Sequence, residues 1–143
     1  MLFEKLNDCY LDHVALAVTD LDKAQGIYEA LGLVFNQHRE EVKSEKVITA
    51  FASIDEHAHL ELLKSTDDDG PIAKFIQKKG EGIHHLCFRV SDIVGKQQEL
   101  SEQGFKFVYQ APVKGANNCL VNFIHPKSAN GVLIELSQKL GGN

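Results

Sequence analysis

A chain of 143 residues, 43% apolar and 24% charged, carries enough hydrophobic surface for a core and falls within the size of one compact domain. Its net charge of −5 and pI near 5.8 argue against nucleic acid or an anionic membrane surface as main partner, since each requires a field of the opposite sign. Three scattered cysteines (Cys9, Cys87, Cys119), an acidic N-terminus and no run near the roughly 20 apolar residues of a membrane span predict a reduced, soluble, cytoplasmic protein.

From Leu11 to Val18 the residues alternate, as a strand with two different environments requires. Val14, Leu16 and Val18 form a bulky face suited to pack under a helix. His13, Ala15 and Ala17 form the other, and small residues beside a histidine predict the lining of a cavity. Asp20 is the expected N-cap of a helix carried by Leu21, Ala24, Ile27, Tyr28 and Leu31 and stopped by Gly32. Short strands are predicted at 33–38, 46–54 and 58–64, which makes a first βαβββ module over about 11–64. In its last strand Glu61 falls on the face opposite Leu60 and Leu62. Asp67 to Pro71 opens a linker helix over about 69–80, with Ile72, Phe75 and Ile76 as its apolar stripe. A second module follows over about 83–138, with a strand at 83–90, a helix at 92–103 and strands at 105–109, 119–125 and 132–138.

The two modules are copies. Leu11 to Asp20 matches Ile83 to Asp92 at a constant offset of 72 residues, and the two helix-like segments end at Gly32 and Gly104. His13 and His85 are therefore equivalent positions. Leu60-Glu61-Leu62 pairs with Ile134-Glu135-Leu136 at an offset of 74. Self-similarity of this kind is a fold-level signal, stronger than local propensity. Placed on cavity faces, His13, Glu61, His85 and Glu135 form a donor set suited to one divalent ion such as Co, Mn, Ni, Zn or Fe, with positions left for water or substrate. The plain alternative is two satisfied histidines and two ordinary strand glutamates, but a fourfold coincidence written by a repeat favours the metal. His84 alternates onto the packing side. His57 and His59 fall by a polar turn as solvated residues, His125 stands at a strand end, and Cys87 is expected to pack.

At these residues the chain resembles the vicinal oxygen chelate superfamily, and within it the methylmalonyl-CoA epimerases. The words that carry the likeness are Leu11-Asp12-His13-Val14-Ala15, Gly70-Pro71-Ile72-Ala73-Lys74-Phe75, Lys79-Gly80-Glu81-Gly82-Ile83-His84-His85, His125-Pro126-Lys127-Ser128 and Gly131-Val132-Leu133-Ile134-Glu135-Leu136. The resemblance covers about 11–138. It implies an α+β fold in which two tandem βαβββ modules form a curved mixed sheet around a metal-containing cavity. It further implies epimerisation of (2R)- and (2S)-methylmalonyl-CoA, an acyl-CoA thioester substrate, a homodimer, and His13, Glu61, His85 and Glu135 as metal positions. Some members place a proton-transferring glutamate on the second strand after the first helix, where this chain has Thr49.

Removing a proton α to a thioester requires stabilising the enolate oxygen, which a divalent ion does as a Lewis acid. Glu135 is the first choice of base and Glu61 the candidate for the opposite face. Thr49, Lys114 and Lys127 are candidate substrate contacts, with Lys74 and Lys78 further basic residues near loops that could edge the cavity. Two other functions fit the same fold: a glyoxalase I-like isomerisation of a glutathione hemithioacetal, and a non-catalytic small-molecule-binding protein, which would not need all four metal positions.

Overall fold

The computed structural model describes residues 8–141. The expectation drawn from the acidic first residues therefore concerns a stretch largely outside the described residues. Among the described residues two compact units emerge: His13–His84 forms one, and residues 85–141 with residues 8–12 form the other.

The first unit runs β1 (Cys9–Ala17), α1 (Leu21–Ala30), β2 (Glu40–Val42), β3 (Val47–Ser53), β4 (His59–Ser65) and the linker helix α2 (Pro71–Lys79). The second runs β5 (Gly82–Val90), α3 (Ile93–Glu102), β6 (Val113–Gly115), β7 (Cys119–Ile124) and β8 (Leu133–Lys139). Each module is thus βαβββ, and the fold class is α+β. Strand order is β2-β3-β4-β1 in the first module and β5-β8-β7-β6 in the second. The first strand of each module lies parallel to its last, while the remaining pairs are antiparallel.

The helices begin and end alike because the sequence repeats. Asp20 accepts from the Lys23 N–H and Asp92 from the Gly95 N–H, each satisfying a donor that the first helical turn leaves open. Gly32 and Gly104 then take positive φ of 105° and 100°, and the next residues, Leu33 and Phe105, donate back to the carbonyls of Tyr28 and Leu100.

In module one, α1 sets Leu21 and Ala24 against Ala50, Ala52, Leu60 and Leu62. Leu62 is fully buried, worth roughly 1.5–3 kcal/mol for its side chain alone. In module two, Ile93 and Leu100 of α3 do the same against Val90, Ile124, Leu136 and Ile134.

Three expectations need correction. Ala15 and Ala17 do not line open space: both are 0% exposed, packed with Val47 and Leu63 under Ile72, Phe75 and Ile76 of α2. Their small size lets a helix lie close to the sheet. The strands expected at 33–38 and 105–109 shrink to single bridges, Phe35 to Ala52 and Phe107 to Ile124. Those phenylalanines anchor the chain in the core, and pairing resumes only at the three-residue edge strands β2 and β6. His59, expected to be solvated beside the turn, is half-buried at the start of β4, its ring 4.9 Å from that of Phe51.

Candidate active site

In module one the register fixes which side chains share a face. Ala15 lies beside Glu61 in the parallel pair, and Phe51 stands directly across from Glu61 in the antiparallel one. His13, two residues before Ala15, points to the same face. Its Nε2 lies 3.9 Å from Glu61 Oε1, with side chains only 12% and 20% exposed. Thr49 is on this face too, opposite Leu63, and Glu40 stands opposite Thr49 on the edge strand. The Thr49 hydroxyl donates to the Glu40 carbonyl at 3.3 Å.

Module two repeats the arrangement more tightly. Cys87 lies beside Glu135, Phe123 directly across from it, and His85 shares their face two residues before Cys87. His85 Nε2 is 3.2 Å from Glu135 Oε1, at 9% and 15% side-chain exposure. The Phe123 ring meets His85 edge-on at 6.4 Å and 90°, and Tyr109 packs on Phe123 at 6.3 Å. Further along the same face, Arg89 pairs with Asp12 at 3.0 Å.

Each module therefore brings its own histidine and glutamate together, mostly out of solvent. A largely buried carboxylate is costly without a compensating partner, and a cation is one such partner. Ligand bonds of about 2.0–2.2 Å place adjacent donor atoms on one ion about 3.0–3.4 Å apart, a range that the 3.2 Å pair of module two meets and the 3.9 Å pair of module one exceeds. Imidazole with carboxylate is a donor set for borderline divalent ions, so these residues fit such a group.

Of the other expected contacts, Thr49 lies on the Glu61 face. Lys114 is the cross-strand partner of Leu120, which packs with the α3 core, so its register position is on the face away from Glu135. Lys127 sits exposed in the short helix Pro126–Ser128, its N–H donating to His125 Nδ1. His84 meets Phe75 of the linker helix edge-on at 4.9 Å, on the packing side as its alternation predicts. Cys87 is fully buried.

Three residues escaped the sequence reading. Glu40 lies across from the threonine aligned with the family's glutamate. The alternation Glu40, Val42 against Glu41 is its only signal in the chain. Phe51 and Phe123 are 72 residues apart and obey the repeat, yet they read as ordinary strand hydrophobes.

Residues 12–123 match the Glyoxalase/Bleomycin resistance protein/Dioxygenase superfamily. The chain is 38% identical over 132 residues to the uncharacterized protein YqjC of Bacillus subtilis, covering 92% of this chain and 93% of that one. It is 37% identical over 131 residues to the ethylmalonyl-CoA/methylmalonyl-CoA epimerase of Cereibacter sphaeroides, covering 90% and 96%. A variant of Streptomyces coelicolor methylmalonyl-CoA epimerase in complex with 2-nitronate-propionyl-CoA superposes with a TM-score of 0.81 at 30% identity, over 92% of this chain and 97% of that one.

Proposed function

This chain belongs to the Glyoxalase/Bleomycin resistance protein/Dioxygenase superfamily, and from that membership we propose that it is a methylmalonyl-CoA epimerase that exchanges the C2 proton between the two faces of the thioester. The observation that carries the reading is the histidine–glutamate pair made twice, once in each copy of the repeat. The names of the relatives, two of them epimerases of malonyl-type CoA thioesters, support the substrate class.

His13, Glu61, His85 and Glu135 would hold one divalent ion. Bound there, the ion supplies Lewis-acid polarisation of the substrate oxygens, which lowers the cost of charge developing next to C2. The protein's own groups move the proton. Glu135 takes it from C2 onto a carboxylate oxygen, the C–H electron pair passing into the enolate, and inversion requires a proton returned to C2 from the opposite face. Glu61 and Glu40 are the carboxylates of module one available on the site face for that return. Glu40 stands outside the four metal positions. Phe51 and Phe123 flank Glu61 and Glu135 with apolar rings that keep water from the carbanionic centre.

The deciding experiment follows C2 in deuterated solvent by NMR with metal-loaded protein. Deuterium should enter at C2 and the two epimers should equilibrate. A loaded protein that exchanges nothing while turning over a hemithioacetal would be a glyoxalase-type lyase instead. Glu135→Gln should cost about 10²–10⁴ in rate, the usual worth of a positioned proton-transfer group. Glu40→Gln and Glu61→Gln separate the other face: the group whose loss stops inversion while exchange continues is the second proton carrier, and only Glu61→Gln should also lower metal content. His85→Ala should abolish bound metal by elemental analysis. Full metal stoichiometry in that variant would remove His85 from the ligand set.

A further inference from the structure

The geometry points to Phe123 as the residue that limits the size of the substituent at C2 of the bound thioester. The inference rests on the epimerase reading and adds to it which malonyl-type thioesters the site accepts.

Phe123 and Glu135 are direct antiparallel partners, so their Cβ atoms lie about 4.5–5.5 Å apart on one face. A carbon whose proton Glu135 removes must approach its carboxylate to about 3–3.5 Å. One substituent on that carbon can then be directed to within van der Waals reach of the neighbouring ring. The ring has little room to retreat. His85 stands against one side of it at 6.4 Å, perpendicular, and Tyr109 against another at 6.3 Å.

Tyr109 is held in turn. Its N–H donates to Asn122 Oδ1 at 3.1 Å and its carbonyl accepts from Asn122 Nδ2 at 3.0 Å, while the same amide reaches Gln97 of α3 at 2.7 Å. Asn122 is 0% exposed. The backbone of Tyr109 is therefore tied to β7 and α3, while its half-exposed ring supports Phe123 from the loop. A methyl group packs against the Phe123 ring. One further methylene must displace the ring or tilt the C2–H bond away from Glu135, and a fixed apolar pocket discriminates one methylene by about 10- to 200-fold.

Phe51 holds the same register position against Glu61, but its observed ring partner is His59 in a tilted stack at 4.9 Å. It provides the internal comparison. The test is the ratio of kcat/KM for ethylmalonyl-CoA to that for methylmalonyl-CoA, measured with metal-loaded wild type, Phe123→Leu, Phe123→Ala and Phe51→Leu. Phe123→Leu keeps an apolar side chain and supplies the result if the alanine variant does not fold. The Phe123 variants should raise the ratio about tenfold or more with unchanged metal content, and Phe51→Leu should raise it less. A ratio within twofold of wild type in the folded Phe123 variants overturns the inference while the epimerase reading stands. A larger change in Phe51→Leu overturns the choice of Phe123. Wild type inactive on both thioesters overturns the reading and the inference together.

Discussion

Asn122 shows what a single residue can organise. Its amide is fully buried and accepts from the N–H groups of Tyr109 and Phe123 while donating to Tyr109 and Gln97. Asn122→Ala removes the hydrogen bonds that its buried amide makes to the Tyr109 N–H and carbonyl, the Phe123 N–H and Gln97, at about 0.5–1.5 kcal/mol for each. The expected loss is about 2–4 kcal/mol of stability in urea unfolding, with weaker proton exchange at C2 as Tyr109 and Phe123 lose their brace. The four paired histidines and glutamates were legible in the chain because a duplication marks them. Asn122, Phe51, Phe123 and Glu40 were not, because their roles depend on which residue stands across the strand, and periodicity carries no register.

The elements themselves were mostly legible: capped helices, the linker helix and the strands nearest the histidines fall where alternation and punctuation place them. The edge strands were displaced because one phenylalanine at each site, Phe35 buried and Phe107 partly so, packs on the core at a single bridge, and ladder pairing resumes only further along. A contact that ties elements together also sets acid stability. The Glu81 carboxylate, just before β5, accepts from the Thr19 N–H at 2.7 Å and the Thr19 hydroxyl at 3.0 Å, in the turn between β1 and α1. The backbone bond chiefly, then the hydroxyl, holds the Glu81 carboxyl below its ordinary value. A carboxylate depressed on folding contributes stability that is present above its unfolded pKa and lost as pH falls through the folded one. Glu81→Gln should therefore flatten the stability profile on the acid side of the ordinary glutamate range. A variant whose acid profile matches wild type would show that the clasp contributes nothing.

For the molecule as a whole, an ion bound at the proposed metal positions would make metal binding part of folding. At a free metal concentration 100 times Kd the gain is about 2.7 kcal/mol, which corresponds to about 5–10 °C in Tm for a chain of this size. Removing the ion with a chelator should lower Tm by that amount, and restoring it should reverse the change. His13→Ala or His85→Ala should already melt at the chelated temperature and respond to neither treatment. No helix among the described residues is long and apolar enough to cross a membrane.

The two copies also differ where symmetry would have them match. Ala17 lies beneath α2, whereas the equivalent position in module two is Arg89, paired with Asp12 and set beside Ser137. The segment that joins the two modules, α2, is what covers this face of the first one. The second has a charged couple there in place of an apolar lid. A chimaera built from two copies of module one would carry alanine at both places and would need a helix like α2 over each.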